Sequence, residues 1–199
     1  MLAVTGYNSA IIRQLALLVP NEEIVRVDYA NYPTHINADR WVLCAGAMHP
    51  VRGVHQSNLE IAVAMRINLL YPMTMCDDIF EVSQRARVCV VGSESGYAGS
   101  HDDTYAAAKA ALHSYVERKR LPSPDQQLVA VAPSIIGDCF MTLRRRDTDN
   151  LARKAVAHPK KRFLRAIEVA RLIHYLLYVD EGYISNVVVR INGGMHVRP

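Results

Sequence analysis

The sequence predicts an α/β domain built on a parallel sheet with helices on both faces. Short β-branched runs alternate with longer helical ones from end to end. The chain has 199 residues and is 50% hydrophobic, enough for one domain with a substantial core. Charged residues, at 21%, form no long like-charge block, and there is no internal repeat, which argues against a disordered chain or a solenoid.

Residues 1–5 read as a strand and residues 9–19 as a helix. A second strand is expected at 24–28 and a third at 41–44, followed by a loop over 45–55. Residues 59–80 are helical in pattern but contain Pro72. Proline removes a backbone donor and clashes with the preceding turn, so a kink or break is expected near Tyr71. Residues 87–91 form a strand. Residues 104–119 are alanine-rich and strongly helix-forming, with Asp102 or Asp103 as cap. A strand at 128–132 leads into a long irregular region over 133–164. An amphipathic helix at 166–177 and a buried strand at 187–191 close the chain before Asn192-Gly193-Gly194. Only ten residues separate Asp28 from Asp39, too few for a further helix and strand.

In such sheets ligands bind beyond the carboxyl ends of the strands, near the point where strand order reverses. That selects the residues after Thr5, Asp28, Cys44, Val91 and Ala132. Composition narrows the chemistry. The net charge of +4 is mild and fits a solvated surface better than a nucleic-acid partner. The four cysteines lack CxxC spacing and none joins a histidine cluster, so no metal site is expected and the thiols read as free in a reducing cytoplasm. No apolar run approaches the roughly 18 residues that span a bilayer, and no leader pattern precedes the first strand.

Residues 91–109 read VGSESGYAGSHDDTYAAAK. A hydrolase elbow needs G-x-S-x-G; here Glu94 takes the central place between Gly92 and Gly96. Tyr105 and Lys109 are four apart on a helix and share a face. An ammonium beside a phenol favours the phenolate, which would let the pair move a proton to or from a substrate oxygen. With ten tyrosines in the chain this pair alone is a weak signal, and the context decides. Ser93 ends a strand twelve residues earlier; Thr5-Gly6 ends the first strand; Asp28 lies 22 residues after Gly6, where a carboxylate can hold ribose hydroxyls.

In this order the motifs resemble the short-chain dehydrogenase/reductase family over nearly the whole chain. TGYNSAII at 5–12 stands where the family has TGxxxGxG, and Cys44-Ala45-Gly46 where it has NNAG. Asn68, Ser93, Tyr105 and Lys109 match its Asn-Ser-Tyr-Lys tetrad. APSIIG at 132–137 resembles the segment after its sixth strand. RFLRAIEVA at 162–170, Leu176-Leu177 and Asn192-Gly193-Gly194 follow its carboxyl-terminal pattern.

The resemblance implies a single Rossmann-type domain over 1–199: a doubly wound parallel sheet in three layers, six strands with the usual third strand missing, and a substrate lid near 133–165. It implies hydride transfer between NAD or NADP and a small carbonyl or alcohol. Tyr105 would be the acid/base, Lys109 would hold the nicotinamide ribose, Ser93 (with Ser95 as backup) would polarise the carbonyl, and Asn68 would position a relay water. The cofactor would lie against Thr5, Gly6, Tyr7, Asn8, Ser9, Ala10, Ile11, Asp28, Cys44, Ala45, Gly46, Lys109, Pro133, Ser134 and Ile136. Asp28 favours NAD, since a carboxylate repels a 2′-phosphate. A homodimer or homotetramer through the helices at 59–80 and 104–119 is implied.

The sequence departs from the family mainly around the cofactor. Ala10 and Ile12 replace loop glycines, and Ile12 suggests a shifted loop. Ser134 replaces a glycine, and Asp138 stands where a threonine is usual, with Thr142 as a substitute. The lid carries Arg144-Arg145-Arg146 and Lys160-Lys161-Arg162, which admits an anionic substrate. Met48, His49, Arg52 and His55 follow Gly46 and are candidates to face the pocket. The alternative is a non-catalytic dinucleotide-binding or protein-interaction member of the same fold.

Overall fold

A computed structural model describes residues 1–29, 36, 38–49 and 55–195. Arg52 lies outside them. Among the described residues, six strands form one sheet: β1 (Leu2–Thr5), β2 (Ile24–Arg26), β3 (Arg40–Leu43), β4 (Arg87–Val91), β5 (Gln127–Pro133) and β6 (Val187–Ile191). The order is β2-β1-β3-β4-β5-β6, and every neighbouring pair is parallel. This is the doubly wound, three-layer Rossmann architecture, with β3 following β2 directly where a longer chain would insert another strand. Strand order reverses between β1 and β3, so the switch point lies just past Thr5 and Leu43.

The period-two alternation of the strands divides the core into two layers. Ala3, Trp41, Leu43, Val88, Val90, Leu128 and Ala130 face one side. There they meet α3 (Tyr71–Val82) through Met75 and Phe80, and α5 (Asp103–Arg118) through Leu112 and Val116. Leu2, Val4, Val42, Cys89, Val129 and Val131 face the other. They meet α1 (Ala10–Leu18) and α8 (Ala166–His174). Asp102 caps α5 by accepting the Tyr105 N–H at 2.9 Å. Ser9 caps α1 by accepting the Ile12 N–H at 3.2 Å.

The expected break near Tyr71 takes a different form. Helix α2 (Asn58–Met65) continues through a π-wound turn, Arg66–Leu70, straight into α3. The Pro72 ring would clash with the carbonyl of Asn68, four residues back, in a regular helix. The wider turn just before the proline is where the ladder gives, and it contains Asn68.

Other expectations need correction. Strand β2 stops at Arg26, so Asp28 lies in the loop beyond it. Strand β6 is a partly exposed edge, not a buried strand, because it has only one neighbour and little cover. The region after Pro133 is not irregular: it holds α6 (Phe140–Leu143) and α7 (Thr148–Ala157). A short helix, α4 (Ser95–Ala98), follows Ser93. The final helix ends in a second π-wound turn, Tyr175–Val179.

Candidate active site

Four side chains converge at the carboxyl edge of β3 and β4. Lys109 comes from α5, is 3% exposed, and donates from Nζ to the Val91 carbonyl at 2.8 Å, tying the helix to the end of β4. Its Nζ lies 5.7 Å from the Tyr105 ring centroid, as the four-residue spacing requires. Ser93 follows β4 by two residues, and its hydroxyl is close enough to the Tyr105 phenol to favour the ionised form. Asn68 is fully buried and locks the loop after β3: Oδ1 accepts from Ala47 N, and Nδ2 donates to the Ala47 carbonyl at 2.7 Å. A Cβ built on Gly46 would fall 3.2 Å from Asn68 Oδ1 and 3.8 Å from Lys109 Nζ, so the loop passes directly over both.

The electrostatics differ from the simplest expectation. Burial pushes the Tyr105 phenol up to about 12, and Ser93 only partly opposes it. Burial pushes the Lys109 ammonium down to about 8. Desolvation disfavours the charged form of each and is the largest influence on both. Tyr105 is therefore an un-ionised phenol at neutral pH, suited to donating a proton. The two candidate serines separate as well. Ser95 donates its backbone N–H to Ser93 Oγ at 3.1 Å, so Ser95 supports Ser93 through its backbone.

Beside these residues lies a cavity of about 320 Å³ lined by Thr5, Gly6, Arg26, Val27, Asp28, Tyr29 and Ala45. It sits at the switch point. Thr5 Oγ1 accepts the N–H groups of Cys44 and Ala45, joining the ends of β1 and β3. Gly6 has φ of +64°, and a Cβ there would fall 2.7 Å from Ala45 N. No other residue fits this turn. Tyr7 packs under the Arg26 guanidinium, 3.5 Å from ring centroid to Cζ. Asn8 is exposed. Ser9 also contacts Cys44 Sγ at 3.2 Å, and burial pushes the Cys44 thiol up.

The first turn of α1 suits a phosphate in one respect and departs from the family in another. It carries no acidic residue, and the N–H groups of Ala10 and Ile11 lie in the turn that has no intrahelical acceptors. Ile11 and Ile12 turn their side chains into the core, 5% and 1% exposed. The bulk of Ile12 is thus absorbed by the layer between the sheet and α8, and not by the loop.

On the far side, Pro133 ends β5, and Ser134 N donates to the Ile191 carbonyl at 2.9 Å. Ile136 is buried and bridges to Leu164, which fastens together the two ends of the segment that holds α6 and α7. Asp138 is not aimed at a ligand: its Oδ1 accepts the Ala166 N–H at 2.8 Å and caps α8. Thr142 Oγ1 pairs with Cys139 Sγ at 3.4 Å. Two of the six basic residues in this segment pair with carboxylates, and Lys161 donates to the Val156 carbonyl at 3.2 Å. Arg145 pairs with Asp147, and Arg162 grips Glu168 with two 2.7 Å bonds. Arg144 donates to the Met48 carbonyl at 3.3 Å, drawing α6 over the loop that follows Gly46. His49 N donates to Asp102 Oδ2 at 2.7 Å, and His55 is exposed.

Sequence reasoning missed three contributors. Asp102 is more than a cap, since it also holds the His49 N–H and the Gln56 side chain. Glu94 is buried and bonded to Arg190 and Asn192. His113 lies beneath Ser93 and donates nothing to solvent: its Nε2 accepts the Ser93 N–H at 3.3 Å. The signal for His113 was available, because it continues the four-residue series of Tyr105 and Lys109 along one helix face.

No protein-family model and no curated protein sequence matches the chain. Solved structures do. A 3-oxoacyl-acyl-carrier-protein reductase from Brucella melitensis superposes with a TM-score of 0.83 at 18% identity, covering 99% of this chain and 91% of that one. This chain has the short-chain dehydrogenase/reductase fold. An oxidoreductase of that family from Burkholderia thailandensis gives a TM-score of 0.81 at 16% identity, with 98% and 91% covered. An ElxO variant with NADPH bound gives 0.81 at 16% identity, with 98% and 97% covered. The short-chain dehydrogenase/reductase fold thus extends across nearly all of the chain.

Proposed function

We propose that the chain is an NAD(P)-dependent oxidoreductase acting on a small carbonyl or alcohol, with Tyr105 as its acid/base. The observation that carries this reading is the placement of Tyr105 and Ser93 side by side, backed by Lys109 and Asn68, next to a cavity at the switch point. A bound nicotinamide supplies or accepts the hydride. The chain's own residues do the rest. Ser93 and Tyr105 hold a carbonyl oxygen between two hydroxyls, and Tyr105 delivers the proton as that oxygen gains charge. A phenol pushed up to about 12 is fully protonated at neutral pH, which favours the reductive direction. Lys109 stands one turn behind as the charged partner of the ribose, and Asn68 keeps the floor of the site in place.

The cavity fits the adenosine end of the cofactor. Asp28 in its wall supports NAD, while the adjacent Arg26 would suit a 2′-phosphate; Asp28 decides for NAD in our reading. The fold neighbour with NADPH bound supports a nicotinamide cofactor in general. A homodimer or homotetramer accompanies this reading. Leu59, Ile61 and Val63 on α2 are 73%, 38% and 47% exposed, and α5 presents Ala107, Ala110 and Ala111 beside them. An apolar helix with no buried residue suits a second copy.

Titration with NADH and NADPH tests the reading first, followed by turnover on a panel of small aldehydes and ketones with Tyr105→Phe as control. Binding and Tyr105-dependent turnover are expected. Binding without turnover would favour the second reading, a non-catalytic dinucleotide-binding protein, which the altered residues Ala10 and Ile12 in the phosphate loop support.

A further inference from the structure

Helix α5 carries a third polar side chain on the face that presents Tyr105 and Lys109. His113 is 3% exposed and lies one further turn along. Its Nε2 accepts the Ser93 backbone N–H at 3.3 Å. A backbone N–H only donates, so Nε2 carries no proton, and the neutral ring bears its hydrogen on Nδ1. Nδ1 is buried and has no hydrogen-bond partner among the described residues. A buried donor without a partner is costly and needs a reason.

The surroundings are shaped to this ring. A Cβ at Gly92 would collide with His113 Nε2, and one at Gly96 would fall 2.8 Å from Cε1. The two glycines that frame Ser93 therefore leave room for an imidazole and nothing larger beside it. Tyr97 stacks on the ring at 4.8 Å between centroids, and the Arg190 guanidinium lies over the Tyr97 ring at 4.5 Å. Arg190 is fixed in turn by Glu94, the residue after Ser93. The charged and titratable groups around His113 are thus Lys109 on its own helix, Glu94 and Tyr97 from the turn after β4, and Arg190 from β6. Lys109 and Arg190 oppose a charged imidazole and Glu94 favours one; burial is the largest influence, and the ring is pushed down to about 4.

We propose that His113, as a neutral Nδ1–H imidazole, is a positioning residue that fixes the backbone of Ser93 and so aims its hydroxyl at the substrate oxygen beside Tyr105. This rests on the oxidoreductase reading for its catalytic consequence, but the contact itself can be tested without turnover. A protonated ring would turn Nε2 into a donor facing another donor, and Ser93 would lose its hold.

Two measurements test it. In ¹⁵N-labelled protein between pH 5.5 and 8, about the range where a free imidazole titrates, the His113 ring is expected to show Nδ1 protonated, Nε2 bare and no titration. A protonated Nε2 at neutral pH would overturn the proposal. His113→Leu is expected to speed hydrogen exchange of the Ser93 amide by roughly fivefold to tenfold, with central β4 amides unchanged, and His113→Gln, which keeps an acceptor at the Nε2 position, to restore most of the protection. An unchanged Ser93 amide in His113→Leu would equally overturn it. With NADH or NADPH and 2,3-butanedione as probe, kcat should fall about tenfold in His113→Leu, cofactor Kd should hold, and His113→Gln should recover. If the wild-type protein reduces no carbonyl, the functional reading fails while the tautomer and exchange results still decide the contact. If it turns over and His113→Leu keeps full kcat, the positioning role is refuted while the functional reading stands.

Discussion

Asn68 holds Ala47 from both sides: its Oδ1 accepts the Ala47 N–H at 3.1 Å, and its Nδ2 donates to the Ala47 carbonyl at 2.7 Å. The same Nδ2 donates to the Ala64 carbonyl at 2.9 Å, one turn back in its own helix. A structural clamp and a candidate catalytic side chain are the same residue. Asn68→Ala is expected to cost about 1–3 kcal/mol of stability, measured by urea denaturation, because it removes three part-buried hydrogen bonds to the backbone of Ala47 and Ala64. Asn68→Asp should do no better, since a carboxylate oxygen would replace the amide donor facing two carbonyls. A variant as stable as wild type would show that the clamp is dispensable.

Lys109 should destabilise the protein that needs it. The unfolded chain holds this proton to about pH 10.4, whereas the folded ammonium is pushed down to about 8 by burial. Between those values the unfolded state binds more protons, so this group makes stability rise with pH from about 8 to about 10.4. Below that window the desolvation cost is carried in full. Lys109→Met is therefore expected to be more stable than wild type at pH 7, on the order of 1–3 kcal/mol, with the gap closing toward pH 10, and to be inactive. Urea denaturation at pH 7 and pH 9.5 reads both signs. A gap that widens with pH contradicts the assignment.

Ser93 and Ser95 part company in the same experiment. The side chain of Ser93 faces Tyr105, while Ser95 contributes its backbone N–H. Ser93→Ala should lower kcat by roughly 10²-fold, and Ser95→Ala should stay within about threefold of wild type. The opposite ranking would move the carbonyl-polarising role to Ser95.

The part of the site that was legible in the sequence is the part fixed by helix and strand periodicity. Tyr105 and Lys109 share a face because they are four apart, and Ser93 lies beyond β4 because a β-branched run ends at Val91. The missing strand was legible from the short link before Asp39. What escaped depends on contacts between distant segments. The π-wound turn at Asn68 answers to Pro72 and to a loop 21 residues upstream. Asp138 stands where a threonine is usual, and its use as the acceptor of the Ala166 N–H depends on a contact 28 residues away. Charge-pattern reading made the lid look free and basic, but Arg145 and Arg162 find carboxylates within six residues of themselves. The direction of the Tyr105 shift is not legible from spacing, because it is set mainly by burial, which sequence spacing does not report.

Cofactor choice should respond to Asp28. It lines the cavity with Arg26 close by, and a carboxylate there accepts ribose hydroxyls but repels a 2′-phosphate. Asp28→Ser is expected to weaken NADH and strengthen NADPH, shifting the ratio of their Kd values by about tenfold or more. Fluorescence titration of both cofactors measures it. An unchanged ratio would mean that Asp28 faces no ribose.

The Glu94–Arg190 pair offers the last test, because it joins the edge strand to the turn that carries Ser93. Glu94 is 4% exposed and accepts from Arg190 Nε at 3.0 and 3.2 Å and from Asn192 Nδ2 at 3.2 Å. Glu94 is buried while the Arg190 side chain is 23% exposed; such a pair gains little over an apolar one of the same shape, but a buried carboxylate left alone is costly. Arg190→Met should lose about 2–4 kcal/mol by leaving the Glu94 carboxylate buried without its cation. Adding Glu94→Leu should recover much of that loss. The double variant would still lack the guanidinium over Tyr97, so the Tyr97–His113 stack should loosen even where stability returns. Denaturation of the two single variants and the double variant closes the cycle. If the losses simply add, the pair contributes through separate contacts and Glu94 is not the residue that fixes Arg190.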